Sequence, residues 1–179
     1  MFAKNNLELV CPAGTPAALR YAIEAGADTV YLGFRDETNA RNYPGLNFSF
    51  DELKSSVFYA HERKVAIFVA INTNPKSGNM DPWKRAVDNA VLAGADAVIL
   101  SDLGLMSYTA KKYPDFRIHL SVQAFASTIE SVNFYQKEFG IKRVVLPRIF
   151  TLREIENIIK NTSVEVEIFA FAVSGPMAE

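Results

Sequence analysis

Apolar runs and amphipathic segments alternate along this chain. Short, nearly continuous apolar stretches, each closing on a polar or conformationally special residue, occur at Leu7 to Pro12, Thr29 to Phe34, Val65 to Asn72, Ala97 to Asp102, Ile118 to Phe125, Arg143 to Arg148 and Val166 to Ala172. Between them apolar residues recur at helical spacing. Trp83, Ala86, Val87, Ala90 and Val91 fall at i, i+3, i+4, i+7 and i+8, one stripe to set against a sheet. Strand-then-helix alternation predicts an α/β fold with a parallel sheet covered by helices.

Helix boundaries are well marked. Thr15-Pro16 supplies an N-cap and a first-turn proline for a helix ending near Ala25-Gly26, and Asp81-Pro82 opens another. Ser49 to Glu52, Ser127 to Glu130 and Thr151 to Glu154 read as capping boxes. Gly26, Gly94 and Gly140 stand where helices end. The strings AGADTVYLG (Ala25 to Gly33) and AGADAVILS (Ala93 to Ser101) repeat one helix-end, turn and strand, and FGIKRVVLP (Phe139 to Pro147) is a looser third copy. Convergent turn chemistry and a duplicated unit both account for this.

Seven strands and six helices predict most of a TIM-like (β/α) barrel, whose complete form has about 250 residues. An eighth strand is needed to pair with the first. The chain is therefore expected to be a single domain, 1–179, forming an incomplete barrel and the amino-terminal part of a longer protein, with self-association through its open sheet edges. A doubly wound open sheet is the alternative.

Composition narrows the setting. The chain has 179 residues, 19 basic against 20 acidic side chains, and a single cysteine, Cys11. The even charge balance lacks a basic stripe, so nucleic acid is not the expected partner. The absence of a disulfide pair and of a long apolar span leads to a cytoplasmic expectation. Two histidines and one cysteine are too few for a conventional zinc site, so no metal is expected.

Candidate chemistry gathers at the carboxyl ends of the strands. The Arg35 to Phe48 connection is fourteen residues long and contains Asn39, Arg41, Asn42, Tyr43 and Asn47. Such length at that face marks a lid or binding loop, in which Arg41 can hold an anion and the amides can read hydroxyls or carbonyls. Asn72 ends the third strand, and Arg148 is a candidate anion anchor. Asp102 is a candidate acid or base, with helix capping as its other reading. Period-two alternation puts His119, Ser121 and Gln123 on one face of the fifth strand, with Gln123 nearest the substrate side. Cys11 reads as a buried thiol; His119 begins its strand, about 13 Å below Gln123, and is not set to activate it. Lys111-Lys112 reads as solvated helix surface. No GxGxxG, P-loop or metal-spaced carboxylates occur.

The strings ELVCPAG, GADTVYLG, TNARNYPGLNFS, AINT, AGADAVILSDLGL, HLSVQA, RVVLPR and FAF…MAE, in this order, resemble the collagenase-like peptidases of class U-thirty-two over essentially the whole chain. The closest likeness is to the UbiU-type branch, of oxygen-independent ubiquinone biosynthesis; other branches hydroxylate transfer or ribosomal RNA. The resemblance implies a (β/α) barrel, a 4Fe-4S cluster held by four cysteines, a small aromatic substrate and a UbiV-type paralogous partner subunit. It sets Gly175 where the first cluster cysteine is expected, so no cofactor is expected in this chain, and redox turnover is not expected of it alone. Asp102 and Gln123 would then serve the reaction, with Asn39, Arg41, Asn47, Asn72 and Arg148 binding substrate. A peptidase, an RNA-hydroxylation relative and a non-catalytic binding subunit are the alternatives.

Overall fold

The computed structural model describes residues 7–170. In chain order the elements are β1 (Val10–Pro12), α1 (Pro16–Glu24), β2 (Thr29–Gly33), α2 (Phe50–His61), β3 (Ala66–Ile71), α3 (Asp81–Leu92), β4 (Ala97–Leu100) and α4 (Leu103–Lys112). They continue with β5 (Arg117–Leu120), a 3-10 turn (Val122–Ala124), α5 (Ile129–Phe139), β6 (Arg143–Val145), α6 (Leu152–Asn161) and β7 (Glu165–Glu167). The seven strands form one sheet in the order β1 to β7, every pair parallel. A doubly wound sheet would reverse direction at a switch point; strictly sequential order is that of a barrel wall. The fold is the expected (β/α) barrel-like wall of seven strands and six helices.

Alternation within the strands makes two cores. Val30, Leu32, Ile67, Val69, Ile71, Val98, Leu100, Ile118, Leu120 and Val144 face outward and pack with the helices, including Leu19, Leu53, Trp83, Val87 and Leu105. The inward positions of the central strands, Phe68, Ala70, Ala97 and Ile99, form a second cluster with Tyr31 and Ala66. This smaller cluster is the lumen.

The repeated Ala-Gly-Ala-Asp string has a mechanical role. In both copies the aspartate's backbone N–H donates to the strand before it, Asp28 to the Leu9 carbonyl at 3.0 Å and Asp96 to Ile67 at 2.9 Å. Its carboxylate accepts from the same residue's N–H, Leu9 at 2.8 Å and Ile67 at 2.7 Å. The third copy has Lys142 there and keeps only the backbone bond, to Ile118 at 2.8 Å. At the end of α5, Gly140 takes the left-handed conformation (φ 66°) that a side chain would resist.

Several boundaries differ from expectation; β1 begins at Val10 instead of Leu7, and β6 ends at Val145 instead of Arg148. The capping box of α5 is Thr128 with Ser131, one residue later than the predicted Ser127 to Glu130, because the Thr128 hydroxyl accepts from the Ser131 N–H. The fifth strand stops at Leu120 instead of reaching Phe125. There the Ser121 hydroxyl accepts from the Gln123 N–H at 3.2 Å and turns the backbone into the 3-10 turn, so the predicted stripe breaks after Ser121. The seventh strand, predicted over Val166 to Ala172, spans Glu165–Glu167; residues 171–172 lie outside the described residues. The boxes at Ser49/Glu52 and Thr151/Glu154 form as predicted. Among the described residues, no helix is long and apolar enough to cross a membrane.

Candidate functional site

The loop from Arg35 to Phe48 is held down by its own amides. Asn39 and Asn47 are both buried. The Asn39 amide N–H donates to Asn47 Oδ1 at 2.9 Å and its oxygen accepts from the Arg41 N–H at 2.9 Å. The Asn47 amide N–H donates to the Arg41 carbonyl at 2.8 Å. Gly33 permits this clamp, since a Cβ there would stand 2.2 Å from Asn39 Nδ2. Asn47 is itself left-handed (φ 72°), a conformation asparagine tolerates better than most residues. The Asn72 side-chain oxygen accepts from the Ala40 N–H at 3.0 Å, and the Thr73 hydroxyl donates to the Glu37 carbonyl at 2.7 Å. The loops after β2 and β3 are thus braced to each other. Asn39, Asn47 and Asn72 all serve that bracing.

The clamp holds Arg41 by its backbone alone. Its guanidinium is exposed and makes no ion pair or hydrogen bond among the described residues. Arg148, also exposed, lies over the Phe169 ring at 4.3 Å. Both cations bear on Tyr31, the inward residue of β2. Burial is the main cause holding the Tyr31 phenol above its usual pKa; the Glu167 carboxylate adds to this, and Arg41 and Arg148 oppose it. Arg41 in the loop after β2 and Arg148 just after β6 both stand at the carboxyl ends of their strands.

Asp102 caps α4, its carboxylate accepting from the Leu105 N–H at 2.8 Å. Gln123 is half-buried on the 3-10 turn beyond β5. Asp102 is thus engaged by the first turn of its own helix.

Toward the amino ends of the strands the lumen holds an ionic network. The buried Arg143 guanidinium pairs with Glu8, with Glu165 at 2.7 Å and with Glu167 at 3.2 Å. Arg117 pairs with Glu165 at 2.8 Å. Desolvation pushes Glu167 above the ordinary carboxylate range, opposed by Arg143. His119 has no exposed surface, packs edge-on against Phe68 at 4.5 Å, and its Nδ1 has no partner among the described residues. Burial, seconded by Arg143 and Arg117, pushes its pKa down to about 3.

Tyr31 and Glu167 were not singled out from the sequence. Alternation in Thr29-Val-Tyr31 and Glu165-Val-Glu167 carries the signal, since each sets polar groups on the inward face of a strand whose other face is apolar. Cys11 packs against the outward core while His119 lies in the lumen, so the two do not form a nucleophilic pair. Lys112, expected to be merely solvated, donates to Asp88 at 3.0 Å and to the Tyr108 hydroxyl at 2.8 Å, pinning α4 to α3. No group of three or more His, Cys, Asp or Glu among the described residues is arranged to hold a metal. The donor set does not fit an iron–sulfur cluster either: the chain's one thiol, Cys11, is packed against the core, and Gly175 lies outside the described residues.

A family model described as Peptidase family U32 matches residues 14–175. The tRNA hydroxylation protein P of Escherichia coli is 37% identical over 164 residues, covering 90% of this chain and 35% of that protein. The 23S rRNA 5-hydroxycytidine C2501 synthase of the same organism is 31% identical over 170 residues, covering 93% and 24%. The chain thus spans about a third of the length of its first curated relatives. These names concern RNA, against the expectations of a ubiquinone precursor and of no nucleic acid. A solved U32 peptidase superposes with a TM-score of 0.75 at 17% identity, covering 94% of this chain and 71% of the other. The barrel wall, its order of strands and the matched span agree: this chain belongs to Peptidase family U32.

Proposed function

We propose that this chain is the substrate-binding barrel portion of a cytoplasmic protein that hydroxylates a base in structured RNA. The observation that carries the reading is the pair of exposed cations, Arg41 in the loop after β2 and Arg148 just after β6, on the carboxyl-end face of the barrel wall. Guanidiniums suit phosphate oxygens, and the chain's even charge balance is no obstacle where the basic groups lie at the site itself. The RNA hydroxylation relatives favour this substrate over a ubiquinone precursor. The redox group is not supplied by this chain, whose residues bind and orient. Cys11 packs on the helix-side core and His119 lies in the lumen, which weighs against a Cys/His pair for peptide hydrolysis.

The test is nucleoside mass spectrometry of tRNA and ribosomal RNA from cells with and without the gene. One hydroxylated base should vanish on deletion and return with the intact gene. The Arg41→Ala/Arg148→Ala double variant should restore less of it. An unchanged set of hydroxylated nucleosides after deletion overturns the reading.

A further inference from the structure

Resting on the RNA reading, a role falls to the turn beyond the carboxyl end of β5. The Ala124 N–H donates to the Ser121 carbonyl and the Phe125 N–H to the Val122 carbonyl, both at 3.0 Å, while the Ser121 hydroxyl accepts from the Gln123 N–H at 3.2 Å. This turn delivers Phe125 in the left-handed conformation (φ 50°), where a bulky side chain is strained. Glycines, Asn47 and Lys64 hold the other left-handed positions among the described residues. Glycine feels no such strain, asparagine tolerates it, and lysine at least keeps its charge in water. Phenylalanine has none of these reasons to be there.

Burial does not compensate. Phe125 is 60% exposed, whereas the next residue, Ala126, is buried in the helix-side core. A turn that puts the alanine inside and the phenylalanine outside runs against the hydrophobic effect. Strain and exposure are both costs, and the hydrogen-bonded turn fixes the backbone that incurs them. An aromatic face held in water on a fixed turn is suited to stacking against another flat ring. Its position says which. β5 pairs with β6 through Leu120 and Val144, so the Phe125 turn and the loop carrying the exposed Arg148 leave neighbouring strands side by side. Arg148 in turn lies 4.3 Å from the centre of the Phe169 ring, beyond β7. This rim offers a base a stacking face and the phosphate chain a cation.

We propose that Phe125 is a platform on which one unpaired base of the RNA stacks. Stacking uses the face of the base and not its edge, so the platform selects unpaired over paired RNA without choosing among bases.

The test uses the 179-residue chain, a short labelled single-stranded RNA, and the same strand annealed to its complement. Binding is followed by fluorescence anisotropy, and the melting temperature of each variant is measured beside it. The wild type should bind the single strand more tightly than the duplex. Phe125→Asn removes the ring and suits the left-handed backbone, so it should melt no lower than the wild type. It should bind the single strand about tenfold more weakly and the duplex as before. Phe125→Trp, which keeps an aromatic face, should bind the single strand like the wild type. Undiminished single-strand binding by Phe125→Asn, or equal wild-type affinity for the two RNAs, overturns the platform and leaves the RNA reading standing. A marked fall in the melting temperature of Phe125→Asn assigns the ring to packing and likewise overturns the platform. No RNA binding by the wild type overturns both.

Discussion

His119 is a buried imidazole between two guanidiniums, and its charge state ties stability to pH. Its pKa in the folded chain is pushed down to about 3, below the unfolded value of 6.5. The folded state therefore binds fewer protons in between, and stability falls as pH drops below the unfolded value. From pH 7 to pH 5 the loss from this one group is about 2 kcal/mol. His119→Gln removes the titration, so urea unfolding at those two pH values should show the wild type losing about 2 kcal/mol more than the variant. A variant with the same pH dependence as the wild type would mean that His119 does not govern this limb. At this scale the sequence was partly legible. Asn39, Arg41, Asn47, Asn72 and Arg148 could be singled out because a long loop and strand ends are where polar groups collect. What it hid was the division of labour: three of these side chains brace loops, as Asn72 does for Ala40, while Arg41 and Arg148 stand exposed beyond the carboxyl ends of β2 and β6. That division depends on pairs of atoms far apart in the chain, which no local spacing records.

The element scale was more readable, because strands and helices here are set by alternation and capping, which are local. Where reading failed, one side chain competed with the pattern. Ser121 offers its hydroxyl to the backbone two residues on, and β5 ends at Leu120 where the apolar run continues to Phe125. The repeated aspartates illustrate the opposite case, a visible repeat whose role only the folded chain reveals. Each clips the strand preceding it, and Asp96 also meets His61 at 2.9 Å. Asp28 is exposed and makes one such bond, so Asp28→Ala should cost about 1 kcal/mol. Asp96→Ala removes a half-buried bond and the histidine contact together, and should cost about 2 kcal/mol. Urea titration of the two variants gives the order. Asp28→Ala being the more damaging would refute the clip as the source of the effect.

At the scale of the molecule, the wall of strands ends in two unlike edges. β1 is short and closes on Pro12, which has no N–H to offer, and Glu8 just before it reaches across the lumen to Arg143. β7 has no such proline and is followed by Ile168, which is 46% exposed. Beside it α6 carries Leu152 and Ile159 with 75% and 53% of their surface exposed. Among the described residues neither edge pairs with the other. Both edges carry exposed apolar residues, Leu7 and Leu9 before β1 as well as Ile168 after β7, and Arg143 pairs with charges on both sides, so the proline that removes an N–H from β1 is what sets the two apart. The 179-residue chain should therefore self-associate, and through β7 in preference to β1. Sedimentation velocity across the micromolar range should show concentration-dependent species. Ile168→Lys should return them to monomer, while Leu9→Lys, on the β1 side, should leave association nearly unchanged. A wild-type chain that stays monomeric throughout would mean that the ionic link from Glu8 to Arg143 is enough to quiet both edges. Equal rescue by the two lysines would mean that the edges do not differ.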